Sequence, residues 1–236
     1  MLKQAIHGTD NLQFPRHSAV VRITHWITAL TFLALVVSGA AILLAHPRLY
    51  WGETGSVGTP SLIDLPLPFV LVGQSGWGRS LHFVAAWACV LTGFFYALSG
   101  LLTQHFRRDL LPVAGDLAWK PLSRTVLNHM HLKWPIDEES PTYNVLQRLV
   151  YLAVIFILFP LIIATGLAMS PAIASVVPAL VNVFGGYESA RTVHFVLASS
   201  LVIFRVVHIA MVGLAGFASR MRAMITGHHA GRKVHT

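Results

Sequence analysis

Residues 191–208 read R-T-V-H-F-V-L-A-S-S-L-V-I-F-R-V-V-H, an apolar run with His194 and His208 fourteen residues apart. On an α-helix that separation is about 21 Å of rise and comes within roughly 40° of a whole number of turns. Both imidazoles then leave one face of the helix, one near each end of a span as long as a bilayer is thick. Neutral imidazole is a common metal ligand and is otherwise costly to place among lipids. Two of them at opposite depths imply two metal centres across a membrane, with partners supplied from elsewhere in the chain.

Composition agrees with that setting. The 236 residues are 55% hydrophobic and 11% charged, against about 25% charged residues in an ordinary soluble domain. A formal charge of +8 belongs to membrane-flanking segments and not to a nucleic-acid binder, which would be far less apolar. Cys89 is the only cysteine. An internal disulfide, a C-x-x-C-H attachment site and a cysteine-ligated cluster are therefore excluded, and Cys89 is expected to be a small buried hydrophobe. Of thirteen histidines, only His25, His82, His194 and His208 lie in or at the edge of apolar runs.

Four spans are expected, at about 23–45, 79–103, 143–169 and 191–217, making a single all-α membrane domain over 1–236. The first run is too long for a signal-peptide core and lacks a good cleavage site, so it reads as a retained helix. Residues 46–78 and 170–190 form outer loops with short interfacial segments. The piece at 62–72 is too short to span and is broken by Pro66 and Pro68. Residues 104–142 form a polar connection, and Pro160 predicts a kink inside the third span. Thirteen Lys and Arg residues fall on the side of the termini and the 104–148 connection, against Arg48, Arg79 and Arg191 on the other. The positive-inside rule then places both termini in the cytoplasm and requires an even number of spans.

Topology assigns a depth to each histidine. His25 and His208 lie near the inner face; His82 and His194 lie near the outer face. Each pair can clamp one iron axially, with a porphyrin between helices of the bundle core. Zinc is a poorer fit, because its sites gather three or four protein ligands. Gly39, fourteen residues after His25, leaves room at the outer depth, as do Gly93 and Gly100 on the second span. Arg205, Arg22 and Arg191 each stand three residues before a histidine and are candidates for haem propionates; surface anchoring is the competing role for the last two. Tyr143, Gln147 and Tyr151 share one face at the inner entrance of the third span, with Asn144 and Arg148 beside them. Asn144 and Gln147 are the candidates for hydrogen bonds to a quinone head group.

The motifs R-I-T-H-W (22–26), G-R-S-L-H-F (78–83), Y-N-V-L-Q-R (143–148), T-G-L (165–167) and R-T-V-H…R-V-V-H carry a resemblance to a known group. The chain resembles the bacterial di-haem cytochrome b561, nickel–iron hydrogenase b-type cytochrome and formate dehydrogenase gamma-subunit family. Its long loops look closest to thiosulfate-reductase-like cytochrome b subunits. The resemblance implies two non-covalent b haems on a four-helix bundle in the bacterial inner membrane. It implies electron exchange between the quinone pool and an extracytoplasmic oxidoreductase, such as a molybdoenzyme or a hydrogenase. The chain would then be an electron-transfer subunit and not an independent enzyme. In the formate dehydrogenase relatives, the positions matching Asn144 and His208 lie at the quinone site. Two alternatives stand beside this reading: a stand-alone quinone-linked cytochrome such as a superoxide oxidase, and a haem-free anchor or proton-relaying transporter.

Overall fold

The computed structural model describes residues 18–55, 58–66, 75–104, 111, 145–214 and 216–227. Ser18 opens helix α1 (Ala19–Ala45), its hydroxyl accepting from the Val21 amide at 3.3 Å, as an N-cap should. Pro47 disfavours helical geometry in the residue before it, and α1 ends at His46. Two short strands follow, β1 (Arg48–Leu49) and β2 (Ile63–Asp64), paired antiparallel. Helix α2 covers Ser75–Leu102.

The third span is composite. Helix α3 (Val145–Ala153) passes through a π-helical turn, Val154–Leu158, into helix α4 (Phe159–Ala168). Pro160 cannot donate to the ladder, and the widened turn just upstream absorbs the mismatch. Two short helices each open on a proline, α5 (Pro171–Val176) and α6 (Pro178–Val183). Helix α7 (Tyr187–Leu214) contains the segment 191–208. Gly216 has a φ of 95° and breaks the chain into the amphipathic helix α8 (Phe217–Thr226).

Four stretches among the described residues are long and apolar enough to cross a membrane: Ala19–Ala45, Gly76–Leu102, Gln147–Ala168 and Tyr187–Leu214. At 1.5 Å per residue each exceeds the roughly 30 Å hydrocarbon core. Their outward faces are apolar and bare, with Leu30, Leu33, Val84 and Ile203 all more than 60% exposed, a surface that water does not tolerate over such an area. The chain is a multi-pass membrane protein.

The bounds differ from expectation in detail. The first, second and fourth spans each begin four residues earlier than the apolar pattern suggests, and the fourth stops at Leu214 instead of 217. Polar first turns such as Tyr187-Glu188-Ser189-Ala190 are helical but carry no hydropathy signal. Within the 62–72 piece Ile63–Asp64 forms a strand; 67–72 lies outside the described residues, as do 105–110 and 112–142 of the polar connection.

Helix α1 packs most extensively on α2, and α4 on α7. Small residues set the first crossing. A Cβ on Gly78 would stand 3.2 Å from that of Ala41 and 3.4 Å from the Ser38 carbonyl, close packing of the kind membrane helices use. Cys89 is buried, as expected.

Loop 46–55 is fastened to the first turns of α7. The Gly52 carbonyl accepts from the amides of Glu188 (3.0 Å) and Ser189 (3.3 Å), and the Gly52 amide donates to the Ser189 hydroxyl at 2.8 Å. Thr192 donates to the Tyr50 carbonyl at 2.6 Å, and Arg191 to the His46 carbonyl at 2.6 Å. Gly186, with a φ of 114°, lets the backbones meet. At the opposite end of the bundle, α8 folds back on α1: Arg22 donates to the Ile225 carbonyl at 2.7 Å and the Trp26 indole to that of Met224 at 3.3 Å. These donors satisfy last-turn carbonyls that a helix leaves open.

Candidate functional site: two facing histidine pairs

Helix α7 brings His194 and His208 to its two ends, and each meets the histidine expected from depth. The His82 and His194 rings have centroids 6.2 Å apart. Those of His25 and His208 lie 6.5 Å apart. A metal sits about 2.0–2.1 Å from an imidazole nitrogen, with the ring centre roughly 1.1 Å beyond, so two imidazoles facing across one ion have centroids about 6.2–6.4 Å apart. The His82/His194 pair falls within that spacing and the His25/His208 pair, at 6.5 Å, lies just beyond it. Among the described residues no cluster of three or more His, Cys, Asp or Glu side chains could hold a metal. A two-histidine site of this kind suits an ion whose other ligands come from a macrocycle.

The His82/His194 pair, expected to be the outer one, has a hydrogen-bonded support. The Ser38 hydroxyl on α1 lies 3.0 Å from His82 Nδ1, and the Thr165 hydroxyl on α4 lies 2.9 Å from His194 Nδ1. Each is followed by a glycine that lets its helix come close. A Cβ on Gly39 would lie 3.7 Å from His82 Cε1, and one on Gly166 would lie 3.5 Å from His194 Cε1. Gly39 therefore borders the outer pair as its depth predicted, whereas Gly93 faces open space. Sequence reasoning missed Ser38 and Thr165. The signal was present as two hydroxyl–glycine dipeptides, Ser38-Gly39 and Thr165-Gly166, at one depth on alternate spans.

The inner pair is set among aromatic rings. Trp26 meets His25 edge-on at 5.5 Å, and Phe204 stacks on His208 at 6.1 Å. Tyr151 packs edge-on against Phe204 at 6.2 Å, so the third span touches the inner pair through one ring. Gln147 is half-buried one turn before Tyr151. Asn144 and Tyr143 lie outside the described residues.

The arginines divide by environment. The Arg205 guanidinium carbon stands 5.6 Å over the Phe32 ring centroid, a cation–π contact between α7 and α1. Arg22 holds the end of α8, yet its Nε is buried with no hydrogen-bond partner among the described residues. It retains a donor for an anionic group. Arg191 is occupied by the His46 carbonyl and by Glu188 at 3.1 Å, so the structure shows it as a loop anchor. Arg79 approaches His46 Nε2 at 3.4 Å. Together, partial burial first and then the Arg191 and Arg79 guanidiniums hold His46 below the ordinary histidine value, with Glu188 opposing them. A cleft of about 460 Å³ is lined by His46, Arg48, Tyr50, Glu188 and Arg191.

Comparison with known proteins identifies the family. The family described as prokaryotic cytochrome b561 matches residues 16–227, which include all four histidines. A protein of Azospira oryzae (strain ATCC BAA-33 / DSM 13638 / PS), named as a protein-methionine-sulfoxide reductase subunit, YedZ1, is 34% identical over 220 residues. That match spans 90% of this chain and 96% of the relative. No solved structure matches significantly. With b-type haem the cofactor this family implies and electron transport its work, the chain belongs to the prokaryotic cytochrome b561 family.

Proposed function

We propose that the chain is a di-haem cytochrome b that carries electrons across the bacterial inner membrane between quinol and an extracytoplasmic oxidoreductase. The carrying observation is the pair of two-histidine sites at opposite ends of α7, each with about the ring spacing that two imidazoles sharing one metal would have. His82 and His194 would hold the outer haem, and His25 and His208 the inner one. Bound haem supplies the one-electron Fe(III)/Fe(II) couple. The chain's own residues do the rest. The spans half-bury both pairs, the hydroxyls of Ser38 and Thr165 orient the outer imidazoles, and Arg22 and Arg205 offer charge for propionates near the inner pair.

The proposed quinone site is at the inner entrance of α3, where Gln147 stands one turn before Tyr151; Asn144, the other residue assigned to it from sequence, lies outside the described residues. Tyr151 reaches His208 through Phe204, which supports that location. Both ends of the described chain lie on one side of the bundle, because Arg22 at the start of α1 bonds Ile225 at the end of α8. That agrees with an even number of crossings, and the lysine and arginine distribution supports a cytoplasmic location for the shared side.

The relative's name supports a partner that reduces oxidised methionine in proteins. A reductase consumes electrons, so flow would run from quinol outward. The cleft lined by His46, Arg48 and Arg191 lies on the outer side, where such a partner docks.

The test is haem stoichiometry and the reduced absorption spectrum of the detergent-purified chain. Two b haems per chain are expected, falling to one in His82→Ala and one in His25→Ala. A purified chain with no reduced b-type band would refute the proposal, as would loss of both haems in each variant with the fold retained.

A further inference from the structure

The outer pair carries an arrangement that fixes more than ring orientation. Ser38 and Thr165 are fully buried, so each hydroxyl must find its partners within the protein. A hydroxyl has one proton to donate and lone pairs to accept with. The Ser38 proton is directed at the Ala34 carbonyl, 2.7 Å away, and that of Thr165 at the Leu161 and Ile162 carbonyls, at 2.9 and 3.0 Å. With its proton so committed, each hydroxyl meets Nδ1 as an acceptor, and Nδ1 must carry the hydrogen. Neutral imidazole has only one N–H. The lone pair of both His82 and His194 is thereby placed on Nε2.

We infer that Ser38 and Thr165 are positioning residues which lock His82 and His194 as the Nδ1–H, Nε2-ligating tautomers and lower the reduction potential of the outer haem. The inference rests on the proposed haem assignment. Its physical basis is that an Nδ1–H donated to an acceptor raises the basicity of the ligating nitrogen. A more basic axial ligand favours Fe(III), so the bond pulls the potential down. Two spans take part in the same way: α1 supports the ligand on α2, and α4 supports the ligand on α7. Burial keeps water from replacing either bond. Gly39 and Gly166 make the approach possible, since a side chain larger than one carbon at either would meet the imidazole.

The experiment is a spectroelectrochemical titration of the full-length haem-loaded protein, wild type beside Ser38→Ala, Thr165→Ala, Ser38→Thr and Thr165→Ser. Each alanine variant should shift one of the two midpoint potentials to a more positive value and leave the other in place. The hydroxyl-retaining variants should return it toward wild type. Alanine variants that keep both haems at wild-type potentials overturn the inference while leaving the haem assignment intact. A wild-type chain without haem overturns both. Where an alanine variant fails to retain haem, nitrogen-15 spectra of histidine-labelled, haem-free full-length wild type decide. Protonated Nδ1 at His82 and His194 supports the inference, and protonated Nε2 overturns it.

Discussion

Substituting Gly186 by alanine should loosen the outer end of the bundle more than the same change at Gly52. Both glycines have positive φ, 114° and 107°, so both variants carry backbone strain of about 1–3 kcal/mol. They differ in what the new methyl meets. At Gly52 nothing lies within 4 Å, whereas at Gly186 the Cβ would stand 2.5 Å from the Gly52 carbonyl carbon and oxygen. Ordinary carbon contacts are about 3.5–4.0 Å, so loop 46–55 must retreat by about 1 Å. The bonds from the Glu188 and Ser189 amides to Gly52, now 3.0 and 3.3 Å, would then open. At about 0.5–1.5 kcal/mol each, their loss makes Gly186→Ala costlier than Gly52→Ala by about 1–3 kcal/mol. Thermal unfolding of both variants in detergent, followed by far-ultraviolet circular dichroism, measures the difference. Gly186→Ala melting at or above Gly52→Ala would refute the reasoning.

Three further outcomes follow from the same contacts. Thr192→Val keeps the shape of a buried side chain but removes the donor to the Tyr50 carbonyl; it should cost about 1–3 kcal/mol, read as a lowered melting temperature. His46 is held below 6.5 in the folded protein, so protonation favours the unfolded chain. Stability should therefore be full above about pH 6.5 and fall as pH drops from there toward the depressed folded value. In His46→Gln, a plot of melting temperature against pH should be flatter over that window. Arg22→Gln removes the guanidinium from the Ile225 carbonyl and should speed tryptic cleavage after Arg220 and Arg222 on α8, with wild-type rates counting against the contact.

The four spans and the two histidine pairings were legible because both depend on simple periodicities. A bilayer imposes span length, and fourteen residues is close to four helical turns, so His194 and His208 announce their faces and depths without tertiary information. Ser38 and Thr165 were harder to read. A hydroxyl in a membrane helix commonly bonds the carbonyl one turn back, and both residues do so; only packing reveals the imidazole on the other side. Arg191 shows the reverse limit. Its position one turn before His194 left a propionate contact and surface anchoring both open, and only the fold shows the chain 145 residues upstream bringing the His46 carbonyl to it. Pro160 signalled a disturbance of the third span, but only the structure shows it taken up as a π-helical turn.

The fold-back of α8 onto α1 bears on how the protein is made. The Trp26 indole and the Arg22 guanidinium leave the ribosome among the first described residues, and their acceptors, Met224 and Ile225, among the last. No shorter nascent chain contains the carbonyls that satisfy them. That end of the bundle is thus closed only after the segment through Ile225 has been made, and Trp26 lies against His25. A chain truncated after Leu214 would retain all four spans and all four histidines, but the wall beside the inner pair would be left unlatched.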